Sequence, residues 1–185
     1  MSAAAVTVQQ GLEEPKEWLL EVYIPGEPKG QPRARSRVIQ GRNGKAFASH
    51  YDPPEAKELK GAAQTHYKTA LQAKGLGVPL FATGSIEVHI EAVFRLPQSA
   101  WRKTPVPRRP KVTKPDPDNV AKAYLDAANE VLWLDDCQVG KLVVERWVGA
   151  QGEAAHVVLR VRPWAPVAPR PMVYAPVVAE QRSLL

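Results

Sequence analysis

KPDPDNVAKAYLDAANEVLWLDDCQ, residues 114–138, is the stretch from which the rest of the chain is read. Pro115 and Pro117 keep the approach extended. After them Val120, Ala121, Tyr124, Leu125, Ala128 and Val131 recur at the spacing of an amphipathic helix. The pattern predicts a helix that starts at Asp118, with this carboxylate at the N-cap, where it accepts a backbone N–H and suits the positive helix end. Asp118, Lys122 and Asp126 are four apart and so share a face opposite the apolar side. Beyond the helix the chain returns through Val131–Leu134 to Asp135 and Asp136.

Six acids fall within residues 116–136: Asp116, Asp118, Asp126, Glu130, Asp135 and Asp136. They follow residues 95–114, which hold seven lysines and arginines and no acid, in a protein of net charge +6. Each acid has a plain structural role available: a helix cap for Asp118, a turn for Asp116, a solvated loop for Asp135 and Asp136. Together, beside Lys122, they suit a divalent cation that meets a polyanion. Hard carboxylate oxygens select Mg²⁺ or Mn²⁺ over Zn²⁺, and Mg²⁺ takes one or two carboxylates and shares its other positions with water and phosphate. A calcium loop fits poorly, because Val120 and Ala121 stand where D-x-D-x-D-G needs an oxygen ligand and a glycine. The chemistry that follows is metal-assisted phosphodiester hydrolysis, with Lys122 neutralising transition-state charge. Asp126 and Glu130 read as solvated or supporting residues.

Outward from this stretch, the 185 residues suit one domain with tails, and 44% hydrophobic content suits a soluble globular chain. The single Cys137 excludes a disulfide within the chain and a thiolate zinc site. No apolar run reaches the roughly 20 residues of a membrane span, and the N-terminus lacks a signal-peptide pattern, so the expected setting is cytoplasmic. Residues 1–16 read as a leader, 17–162 as the domain and 163–185 as a proline-rich tail. Within the domain we expect a strand over Trp18–Ile24 and a basic arm with a short hairpin around Gly41–Gly44. A helix over Pro54–Lys74 and a strand over Ser85–Leu96 follow. Lys141–Val148 and Ala155–Val161 read as a final antiparallel hairpin. His89, on the polar side of its strand, reads as solvated. The expected DNA contacts are Lys29, Arg33, Arg35 and Arg37 in the arm, and Arg102, Lys103, Arg108, Arg109, Lys111 and Lys114 in the second basic segment, because such cations release counterions from a phosphate backbone.

D-x-D-N-x-x-K at 116–122, L-D-A at 125–127 and W-L-D-D-x-Q-V at 133–139 resemble the signature of the RusA family of Holliday junction resolvases, common in phages and prophages. IPGEPKGQPRAR at 24–35 is similar to the start of many members. The resemblance implies a small α/β (α+β) domain, a mixed sheet carrying two main helices, acting as a homodimer. It implies Mg²⁺-dependent paired nicking of a four-way DNA junction in recombination and repair. It also implies catalytic metal ligation by Asp116, Asp118 and Asp136 (with Asp135 the alternative) and a catalytic or phosphate-contacting Lys122. A nuclease for forks, flaps or single strands, and a non-catalytic DNA-binding module, are the competing readings.

Overall fold

The computed structural model describes residues 17–31, 35–40, 46–51 and 53–164. The leader, Arg33, the Gly41–Gly44 turn and the tail beyond Trp164 lie outside them. The elements in order are β1 (Leu20–Pro25), β2 (Arg35–Gln40), β3 (Ala46–Tyr51), α1 (Pro54–Ala73), β4 (Ile86–Phe94), β5 (Arg109–Pro110), α2 (Pro117–Ala128), β6 (Val139–Val148) and β7 (His156–Pro163). β2 and β3 pair antiparallel as the expected hairpin. The other five strands form one mixed sheet in the order β1-β7-β4-β6-β5. β4 and β6 run parallel, and α2 is the helix of the crossover between them. A mixed sheet with two helices is the architecture expected. Among the described residues no helix is long and apolar enough to cross a membrane.

Three expectations are corrected. β6 and β7 are not a hairpin: β4 lies between them, parallel to β6 and antiparallel to β7. The physical reason is burial. β4 is more fully buried than β1, β6 or β7, and a central position buries Ile86, Val88, Ile90 and Ala92 completely; a hairpin would have left it with one fewer neighbour. Secondly, the N-cap of α2 lies two residues earlier than expected. Asp116 is the N-cap, Pro117 takes the first helical position and Asp118 lies in the first turn, as proline's fixed φ and missing N–H favour. Thirdly, His89 is not solvated. Its side chain is 18% exposed, its ring lies 6.0 Å from that of Trp18, and Nε2 sits 3.5 Å from Glu145 Oε2 without hydrogen-bond alignment.

The apolar core fills the space between α1, α2 and one face of the sheet. Tyr67 is fully buried and donates its hydroxyl to Tyr124 O at 3.1 Å. Trp133 is also fully buried, and its Nε1 donates to Asn129 Oδ1 at 2.7 Å. Leu80 and Phe81 donate backbone N–H groups to Val131 O and Leu132 O. The segment after α2 is thereby pinned, which fixes where Asp135 and Asp136 emerge. Trp133→Ala is expected to lower stability by about 3–5 kcal/mol, the usual cost of emptying a buried aromatic site, as measured by urea unfolding. A loss below about 1 kcal/mol would show that Trp133 is not a keystone of the fold.

The opposite face of the sheet carries an ion network. Arg160 bonds Glu21 (2.6 Å) and Glu91 (3.1 Å), Arg108 bonds Glu91 (2.6 Å) and Glu153, and Arg162 and Lys141 bond Glu87 at 2.9 and 2.7 Å. Burial pushes the Glu87 and Glu91 carboxyls up, but the hydrogen bonds and charges of their cations outweigh it and hold both below the ordinary range. The folded state therefore binds protons less readily than the unfolded chain. Its contribution is complete above the unfolded carboxylate pKa of about 4.3 and is lost as pH falls through the lower folded values. The melting temperature is expected to drop steeply below about pH 4, and less so in Glu87→Gln. Equal acid sensitivity in the two proteins would contradict this assignment.

Candidate active site

The sequence of α2 decides what stands around it. Pro115 and Pro117 bring the chain in extended, and Arg146 of β6 clamps the approach by donating from Nη1 to Thr113 O at 3.0 Å and Pro115 O at 2.6 Å. Asp116 follows at the N-cap, with no side-chain capping bond, and Asp118 follows in the first turn; both carboxylates are exposed. Asp116 lines an open cleft of about 650 Å³ together with Gly30, Gln31, Lys114, Pro115 and Asn119. Val120, Ala121, Ala123, Tyr124 and Ala127 bury the other side of the helix. Lys122, one turn on from Asp118, is therefore left exposed.

The returning segment separates its two acids. Asp135 caps a short 3-10 turn at Asp136–Gln138, accepting Cys137 N–H at 3.2 Å, while the Gln138 side chain accepts the N–H groups of Leu134 and Asp135. The Cys137 N–H, followed by hydrogen bonding with Asp136, holds the Asp135 carboxyl below its ordinary value. Asp136 is displaced the other way. Its hydrogen bond with Asp135 raises it most, partial burial and the negative charges of Asp135 and Asp126 add to this, and Lys122 opposes them. Asp135 is thus spent on the backbone. Asp136 lies within the electrostatic reach of Asp126 and Lys122 of α2.

Among the described residues, no three acids, histidines or cysteines lie close enough together to hold a metal ion. Asp116 and Asp118 stand at the start of α2, whereas the partners that Asp136 feels, Lys122 and Asp126, lie further along the helix. The donors are of the right chemistry for Mg²⁺, an ion that needs only one or two protein carboxylates; a ready-made three-carboxylate cage is not present.

Asp126 was set aside in the sequence reading, yet it is half-buried and accepts Gln31 Nε2 at 2.9 Å. Gln31 and Asp126 line a second cleft of about 150 Å³ with Lys57 and Lys60 of α1. Gln31, Lys57 and Lys60 were not singled out. The i, i+3 spacing of Lys57 and Lys60 showed that they share a side of α1, but not that this side meets α2. Of the expected DNA contacts, Lys29, Arg102, Lys103, Arg109 and Lys114 are exposed. Lys111 is half-buried, with its ammonium 4.4 Å from the Phe94 ring centre. Arg108 is held by Glu91 and Glu153. Arg35 and Arg37 lie on β2, and their side chains, like Arg33, fall outside the described residues.

With these carboxylates, lysines and clefts in place, comparison with known proteins is decisive. The profile of the family Endodeoxyribonuclease RusA matches residues 25–162. The chain belongs to the RusA family. Among the described elements the match takes in all but β1, of which it reaches only Pro25, and the last residue of β7, and it takes in every proposed site residue. This RusA-family chain is also 29% identical over 134 residues to the uncharacterized protein YqaN of Bacillus subtilis (strain 168), covering 69% of this chain and 87% of that one. Membership makes the protein an endodeoxyribonuclease of a family that acts on branched DNA.

Proposed function

We propose that this protein is a Mg²⁺-dependent, structure-selective endodeoxyribonuclease that resolves four-way DNA junctions by paired nicks, as a homodimer. Mn²⁺ is the alternative ion. The observation that carries the reading is the face of α2, where exposed Asp116 and Asp118 stand at the helix start, Lys122 follows one turn on, and Lys122 lies within the field of Asp136.

Asp116, Asp118 and Asp136 are the residues that would hold the ion, one or two at a time, with phosphate and water completing its shell. The chemistry such an ion supplies is activation of a water and neutralisation of the leaving oxygen. The chain's own groups do the rest. Lys122 sets a fixed positive charge beside the phosphate where negative charge develops, a contribution that grows toward the transition state. The positive helix end favours the anion at Asp116–Asp118. Lys114, Arg109, Lys103, Arg102 and Lys29 grip the backbone on either side, and the arm bearing Arg33, Arg35 and Arg37 extends that grip. Arg108 contributes through Glu91 and Glu153, by bracing the second basic segment against the sheet. A four-way junction has near two-fold symmetry, so a C₂ dimer presents two matched sites to opposed strands. Such an enzyme works on recombining or damaged DNA in the bacterial cytoplasm, encoded by a phage or prophage.

The test is a labelled synthetic junction incubated with the protein, with and without Mg²⁺, beside linear, flap and forked DNA of matched sequence. Symmetric nicks on the junction alone, and only with metal, are expected. Cleavage confined to flaps or forks would move the substrate, and binding without products at any metal concentration would make the protein a DNA-binding module.

A further inference from the structure

Three consecutive residues at the root of the basic arm are latched along α2. The Lys29 backbone N–H interacts with the Tyr124 hydroxyl. Gln31 donates its backbone N–H to Asn119 O at 2.8 Å and its side-chain Nε2 to Asp126 Oδ2 at 2.9 Å. Between them Gly30 passes so close to the helix start that a Cβ would sit 2.9 Å from Pro115 Cβ and 3.3 Å from Asn119 Cβ. Gln31 forms part of the wall of both clefts, the one that holds Asp116 and the one that holds Asp126.

The chemistry of the Gln31–Asp126 contact is specific. A solvated carboxylate needs no orienting partner, and a carboxylate kept for stability is best served by a cation. Asp126 instead receives an amide N–H, which fixes the direction of its oxygens and leaves its charge intact. That charge lies one turn along α2 from Lys122, on the side that begins at Asp118, and Gln31 joins its cleft to the one that holds Asp116. An oriented but un-neutralised carboxylate beside ligands is how outer residues raise the cation affinity of an inner set.

We propose that Gln31 is a positioning residue of the nuclease site: its amide fixes the Asp126 carboxylate on the Asp118–Lys122 side of α2, and Asp126 so held raises the affinity of this face for its divalent cation. The proposal rests on the metal-dependent reading above. It also ties the root of the DNA-gripping arm to the carboxylates, since Gln31 immediately precedes the arm's arginines in the sequence.

Mn²⁺ binding to the DNA-free protein is measured by calorimetry for wild type, Gln31→Met, Asp126→Asn and the double variant. Melting curves are taken in parallel, with kcat and KM for junction nicking. Gln31→Met keeps the length and bulk of the side chain and removes the donor; Asp126→Asn keeps an oxygen for Gln31 and removes the charge. Each single variant is expected to lower Mn²⁺ affinity about tenfold and to lower kcat with KM unchanged. The double variant should be no worse than Asp126→Asn, because Gln31 acts through Asp126. Wild-type Mn²⁺ affinity in Gln31→Met, whatever its melting temperature, overturns the proposal and leaves the contact structural. Losses that simply add in the double variant overturn it too. A wild type that neither binds Mn²⁺ nor nicks any DNA sinks the nuclease reading itself, whereas a wild type that does both beside an unaltered Gln31→Met sinks this inference alone.

Discussion

Asp118→Asn is expected to lower junction nicking by about 10²–10³-fold or more, the scale on which removing one group that stabilises transition-state charge acts, while junction affinity is kept. Asp118 lies in the first turn of α2 with its carboxylate exposed, and it is not the N-cap residue. The substitution leaves the helix its N-cap at Asp116 and its apolar side untouched. What it removes is a negative oxygen from the place where cation and phosphate are to meet. Loss of charge there weakens repulsion of DNA, so binding should hold or tighten. Gel-shift titration and single-turnover cleavage on the same junction separate the two quantities. A fully active Asp118→Asn protein would remove Asp118 from the chemistry and return it to the role of a helix-start acid.

Lys122→Ala has the second large expected effect, a fall of about 10²-fold in turnover at saturating Mg²⁺. Lys122 is exposed on α2 and lies within the electrostatic reach of Asp136. A lysine that only grips the DNA backbone would lower affinity and flatten the salt dependence of binding by about one ion. One that faces the reacting phosphate lowers kcat much more than it raises KM, because its charge matters most as negative charge builds up. Lys114→Ala supplies the comparison: it stands in the open cleft beside Asp116 and is expected to act on affinity. If the two variants change binding and turnover in the same proportion, Lys122 is one more backbone contact.

Much of this chain is legible from local spacing. The apolar recurrence of residues 120–131 specifies α2, and alternation over Ile86–Phe94 specifies β4, because helix and strand periods are properties of neighbouring residues. The order of acids and lysine along α2 follows from the same period, and with it the shared side of Asp118, Lys122 and Asp126. Even the start of α2 was within reach, since proline at the first helical position moves the cap back to Asp116.

What only the tertiary structure decided has no local signal. The insertion of β4 between β6 and β7 is a choice between pairings of similar short strands, and it is settled by how much of β4 each arrangement buries. Arg108 looks like its basic neighbours in sequence, but 45 residues later Glu153 meets its guanidinium. Asp135 and Asp136 are adjacent and identical in type, and only the turn they enter makes the first its backbone cap and sets the second in its first position. Gln31 and Asp126 are 95 residues apart, and no period links them. The residue types and the helix were written locally; the partners of each carboxylate were set by the packing of segments distant in the chain.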